Sequence, residues 1–87
     1  MPKNKPLPNL KVTARAPFHI YYEGEAQIVS AKNSVGNFDI LPGHADFFSM
    51  LTACTVHINV DDEVISFPIE NGILVVQDMS VSLFVNL

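Results

Sequence analysis

Eighty-seven residues make one small domain, able to bury about 60–65% of the surface its unfolded chain exposes. A hydrophobic fraction of 48% supplies one core and argues against extensive disorder, and the single cysteine, Cys54, excludes an intrachain disulfide framework. The net charge of −4 is divided along the chain, with Lys3, Lys5, Lys11, Arg15 and Lys32 all early and only acids after Asn33, so no basic body is available for nucleic acid.

Residues 1–9, with three prolines, two lysines and two asparagines, read as a basic, Pro-rich, extended tail. The start lacks a signal-peptide apolar segment, and no apolar run reaches the ~20 residues that span a bilayer. The expectation is a cytoplasmic domain over residues 10–87 with no direct membrane insertion. Leu10 to Ala14 alternates as a strand does, and Glu25 to Ala31 reads as another, with Ala26, Ile28 and Ser30 on one face. Asn37-Phe38-Asp39-Ile40 turns Phe38 and Ile40 inward and leaves Asn37 and Asp39 together on the other face.

Leu41-Pro42-Gly43-His44 follows as a type II turn: proline presets φ at its first central position, and glycine supplies positive φ at the second. Such a turn lifts His44 toward a surface. Asp46 to Leu51 is the one stretch that suggests a helical turn, with Asp46 as its cap. Thr55 to Val60 alternates again, and Asp61-Asp62 turns it into Glu63 to Phe67 as a hairpin. Pro68 marks an edge or a bulge. Glu70-Asn71-Gly72 is a further turn, with Asn71 and Gly72 both tolerant of positive φ. Ile73 to Val76 suits a strand covered on both sides, and Gln77-Asp78 reverses the chain into Met79 to Val85. About 8–10 short strands joined by tight turns specify an all-β, antiparallel sandwich or flattened barrel.

Chemistry is hard to find on this chain. His19, His44 and His57 share no close-spaced ligand motif, and Cys54 has no neighbouring base to lower its pKa. No phosphate loop, nucleophile elbow or zinc spacing appears. The chain therefore reads as binding no cofactor, metal or small-molecule substrate.

Gly36 followed by Ile40-Leu41-Pro42-Gly43-His44-Ala45 resembles the signature of the N-terminal β-sandwich domain of the epsilon subunit of F-type rotary ATP synthases. The likeness extends back to Tyr22-Glu23-Gly24-Glu25 and forward through Gly72-Ile73-Leu74-Val75-Val76 and the terminal strand. It implies a non-catalytic central-stalk subunit that joins the gamma subunit to the c subunits of the rotor ring, peripheral to the inner face of the plasma membrane. The helical hairpin with which the family usually continues is absent from these 87 residues.

The resemblance also implies where partners sit. Asn33, Ser34, Gly36, Asn37 and Asp39 fall at the end that faces the ring, with Asn37 where the family often has glutamate and Asp39 where it has glycine. His44, Ala45, Phe47 and Phe48 fall near gamma, while Pro42, Gly43 and Gly72 shape turns. Phe47, Phe48, Met50, Tyr21 and Tyr22 are candidates for a surplus apolar face. The contrasting reading is a free-standing β-sandwich protein-binding module, or a small metal-dependent enzyme on the same architecture.

Overall fold

Period-two alternation can bury one face of each strand only if two sheets close over each other, and that is the arrangement found. A computed structural model describes residues 9–87, so the expected tail over 1–9 lies outside the described residues except for Asn9. Nine strands follow in order: β1 (Leu10–Ala16), β2 (His19–Ala26), β3 (Ile28–Lys32), β4 (Asn37–Ile40), β5 (Phe47–Leu51), β6 (Cys54–Val60), β7 (Glu63–Ile69), β8 (Gly72–Gln77) and β9 (Ser80–Val85). One sheet runs β2-β1-β9-β8-β5 and the other β4-β3-β6-β7. Pairing is antiparallel throughout except between β1 and β9, which lie parallel with Val12 opposite Val81. That pair is the one departure from an antiparallel plan, and a distant strand rather than a hairpin neighbour supplies it.

The inner faces meet in one core. Leu10, Val12, Ala14, Leu74, Val76, Val81, Leu83 and Val85 come from the first sheet, and Val29, Ile40, Val56, Ile58, Phe67 and Ile69 from the second. Tyr21 closes one side by stacking on Phe67, with ring centroids 4.2 Å apart. Among the described residues no buried side-chain polar atom lacks a hydrogen bond, so the core carries no desolvation cost of that kind.

Four local expectations are corrected. The alternation over 25–31 does not continue through Gln27, because the chain crosses there from one sheet to the other. Val29 and Ala31 are buried, and Ile28 and Ser30 are not. Gln27 fixes the corner: its backbone N–H donates to the Asn59 carbonyl at 2.8 Å, and its Oε1 accepts the Asp61 N–H at 2.6 Å. The helical turn over 46–51 is instead strand β5, paired with β8 from Phe47↔Val76 to Leu51↔Gly72. Asp46 caps no helix; its Oδ1 accepts the Asp78 N–H at 3.3 Å.

Gly72 is not a positive-φ turn residue but the buried first residue of β8. A Cβ there would stand 2.9 Å from Val85 Cγ1 and 3.0 Å from the Phe84 carbonyl oxygen, so space rather than backbone freedom selects glycine. Finally, Ile73 to Val76 is covered on one side only. Leu74 and Val76 are buried, while Ile73 and Val75 stand half-buried on the outer face.

Candidate docking surfaces

Strand register turns scattered apolar residues into one surface. On the outer face of the five-stranded sheet, Phe48 lies opposite Val75 and Met50 opposite Ile73, and Ile73 in turn lies opposite Phe84. Phe48 is 63% exposed, Met50 69% and Phe84 41%. β5, β8 and β9 carry no charged residue. On the same face β1 and β2 carry Lys11, Arg15, Glu23 and Glu25 instead, so an apolar half adjoins a charged half. Exposed large side chains gathered in this way are characteristic of protein interfaces. The other candidates for an apolar face divide: Tyr21, Tyr22 and Phe47 pack against the core.

The loop after β3 is a built turn. Asn33 and Gly36 exchange backbone hydrogen bonds at 3.1 Å in each direction. Asn33 Oδ1 accepts the N–H groups of Val35 at 2.9 Å and Gly36 at 3.2 Å, and its Nδ2 donates to Ser49 Oγ at 3.1 Å. Gly36 adopts φ +147, open to glycine and costly for other residues. Asn33 and Gly36 therefore shape the loop, whereas Ser34, Val35 and Asn37 are presented to solvent. Asp39 is exposed on β4 beside Asn37, and Ser30 Oγ donates to its Oδ1 at 2.7 Å. Register then continues the polar row from Ser30 to His57 and Ser66, where His57 Nδ1 lies 2.8 Å from Ser66 Oγ.

The turn over 41–44 forms as proline and glycine dictate. The His44 N–H donates to the Leu41 carbonyl at 3.1 Å, and Gly43 has φ +88. His44 is only half-exposed. Its Nδ1 lies 2.8 Å from the Ala45 carbonyl, and its ring meets Phe47 edge-on at 5.4 Å. Phe47 in turn packs on Phe38 at 5.6 Å. Of the four residues that the resemblance places near gamma, Ala45 and Phe48 are exposed, while His44 and Phe47 are half-buried and support each other. Sequence reasoning missed Met79, whose Sδ accepts the Gly43 N–H at 3.1 Å and ties this turn to the β8–β9 turn. No local pattern marks a contact across 36 positions.

The loop at 33–36 and the turn at 41–44 flank β4 and so lie at opposite ends of the sandwich. Among the described residues no three His, Cys, Asp or Glu side chains gather as a metal site, and no helix is long and apolar enough to cross a membrane. Cys54 is a free thiol, half-buried against the core.

Comparison with known proteins gives this geometry a family. The profile described as "ATP synthase, Delta/Epsilon chain, beta-sandwich domain" matches residues 9–86. The chain is 33% identical over 73 residues to ATP synthase epsilon chain 2 of Paraburkholderia xenovorans, covering 82% of this chain and 52% of that one. It is 32% identical over 77 residues to the ATP synthase epsilon chain of Francisella philomiragia, covering 88% and 53%. The chain thus spans about half the length of the curated relatives it matches. The fold superposes on a chain of the Euglena gracilis mitochondrial ATP synthase OSCP/F1/c-ring assembly with TM-score 0.82 at 15% identity, covering 94% of this chain and 52% of that one. It also superposes on a chain of the Tetrahymena thermophila mitochondrial ATP synthase central stalk and c-ring with TM-score 0.75 at 19% identity, covering 87% and 62%. With its profile matched from Asn9 to Asn86 and its two-sheet topology shared, the chain belongs to the β-sandwich domain family of the ATP synthase delta/epsilon chains.

Proposed function

We propose that this chain is the sandwich portion of an ATP synthase epsilon subunit. It acts as a non-catalytic element of the central stalk, coupling rotation of the ring to the catalytic head. One observation carries the reading: the uncharged outer half of the five-stranded sheet, with Phe48, Met50 and Phe84 exposed on it. An enzyme would need convergent polar groups in a pocket. A torque-bearing coupler needs a dry patch that does not slip and a separate contact at another place.

In this reading gamma covers the Phe48–Met50–Phe84 patch and extends toward Ala45. The ring meets the loop end, where Ser34 and Asn37 are presented, with Asp39 as the nearest acid. Asn33, Gly36, Pro42 and Gly43 hold the backbone that presents them. The protein sits at the inner face of the membrane through the assembled complex rather than by inserting into it.

The test is capture of the chain by the gamma subunit of the same organism. Phe48→Asp with Met50→Asp places two charges in the centre of the patch and weakens capture by roughly 100-fold or more. Thermal stability should be unchanged, because both side chains are exposed. Equal capture by the double variant and the parent chain would refute the assignment of this face. Failure of gamma to bind the parent chain would refute the function itself.

A further inference from the structure

Four strands form the edges of the two sheets: β2 and β5 in one, β4 and β7 in the other. An edge presents unpaired N–H and C=O groups that template pairing with another chain, and folded proteins blunt such edges with charges, prolines, bulges or short strands. Three of the four carry such a device. β2 has a register shift opposite Ala14/Arg15, Gly24 at φ +154, outward Glu23 and Glu25, and a Tyr22 hydroxyl donating to the Glu25 carbonyl. β7 starts at Glu63 and contains Pro68, which has no N–H to offer. β4 is four residues long and carries Asp39.

β5 has only one of these: the Ser49 hydroxyl donates to the Met50 carbonyl at 3.2 Å, while the Thr52 N–H just beyond the strand is taken by the Lys32 carbonyl at 3.0 Å. Phe47-Phe48-Ser49-Met50-Leu51 lacks charge, proline and glycine, and pairs with β8 without a break in register. It is also self-complementary. An antiparallel copy centred on Ser49 sets Phe48 against Met50 of the second copy, and the two-fold axis repeats that contact. An aromatic ring against a methionine is a favourable cross-strand pair, and here both side chains are exposed. The strands beside β5 add no charge, so the net −4 of each copy opposes association only from a distance.

We infer that, without its larger partner, this chain forms a two-fold dimer by antiparallel pairing of β5 with β5, joining two five-stranded sheets into one. Phe48 and Met50 belong to the patch assigned above to gamma, so the dimer and the gamma complex exclude each other. The exclusion rests on that assignment; the self-pairing does not. Dimerisation then hides the least protected edge and an apolar patch until gamma is present to cover them.

Sedimentation equilibrium and amide hydrogen exchange of the 87-residue chain test this. The mass should rise from 9.6 kDa toward twice that value as the concentration increases. The amides of residues 47–51 should gain protection over the same range. Met50→Lys should weaken the dimer by about tenfold or more, by placing a charge opposite Phe48 twice per dimer. Val64→Lys, on the exposed surface of β7, should leave it unchanged. A chain that remains monomeric to about 1 mM, well beyond the concentrations at which specific dimers form, overturns the inference. So does a dimer that Met50→Lys leaves intact, or one that Val64→Lys weakens equally. Capture of a strictly monomeric chain by gamma would sink the pairing and spare the function; a β5-paired dimer that gamma ignores would do the reverse.

Discussion

Gly72→Ala isolates the requirement for space at one position. Gly72 lies opposite Leu51 on one side and Val85 on the other, facing inward. The added Cβ would meet Val85 Cγ1 at 2.9 Å, the Phe84 carbonyl oxygen at 3.0 Å and Leu51 Cδ1 at 3.4 Å. Val85 can shift only into a filled core, and the carbonyl belongs to a paired strand. Overpacking of this kind costs about 1–3 kcal/mol, while the lower unfolded-state entropy of alanine returns roughly 0.5–1 kcal/mol. The net loss is then about 1–2 kcal/mol, and a domain of this size loses ~4–8 °C of Tm per kcal/mol, so the midpoint falls by about 4–16 °C. Urea denaturation of Gly72→Ala, Val85→Ala and the double variant measures the coupling. Removing Val85 Cγ1 should relieve part of the clash, so the double variant is less destabilised than the sum of the singles, by about 0.5–1 kcal/mol. Relief stays partial because the carbonyl contact persists. A Gly72→Ala protein as stable as the parent, or strictly additive singles, would refute the steric reasoning.

Other perturbations follow from the same geometry. Asp78 and Met79 both adopt positive φ, 51° and 68°, in the two-residue turn between β8 and β9, where asparagine and glycine fit best. Replacing them as Asp78→Asn with Met79→Gly should raise stability by about 1 kcal/mol in chemical denaturation; a loss would show that the Met79 sulfur bond to Gly43 outweighs the backbone strain. Asn33→Ala removes two acceptor contacts to backbone N–H groups and one donor bond to Ser49, and should cost about 1–2 kcal/mol by the same assay. An unchanged midpoint would count against Asn33 as the organiser of its loop. The Tyr22 phenol is held above its ordinary 10.0 by burial first and then by the carboxylates of Asp61 and Glu25. A folded-state value above the unfolded one means that the contribution is present below the unfolded pKa and lost as pH rises through the folded one. Tyr22→Phe should therefore flatten the alkaline fall in stability, and absorbance titration should show one phenol ionising late in the parent alone.

Much of the sandwich can be read from alternation because most strands bury one face only. Val56, Ile58, Val81, Leu83 and Val85 are inward as their spacing requires. The type II turn at Pro42-Gly43 follows from two residues with restricted or permissive φ. Failures fall where tertiary structure overrides local pattern. Two adjacent phenylalanines conceal the alternation of β5, because Phe47 packs inward while Phe48 is exposed on the outer face. The phase change at Gln27 depends on Asn59 and Asp61, more than thirty positions away. The apolar run over 73–76 looks doubly buried, but only Leu74 and Val76 face the core, and Ile73 and Val75 stand half-buried on the outer face. The candidate docking residues were legible only as a neighbourhood. Register was needed to join Phe48 to Phe84 through Val75 and Ile73, and to separate Asn33, which builds its loop, from Ser34 and Asn37, which face outward.

The parallel seam between β1 and β9 has a consequence for how the protein comes into being. The strand at the middle of the larger sheet is the last of the nine in chain order, and both its neighbours wait for it. Until residues 80–85 emerge, β1–β2 and β5–β8 are separate two-strand ribbons, each too small to stand alone in water. Assembly is then all-or-none and dominated by long loop closures, which makes it slow for a chain of this length. A lesion in Ser80–Val85 should thus be felt far away in sequence, as loss of protection in Leu10 to Ala16 as well as in β8.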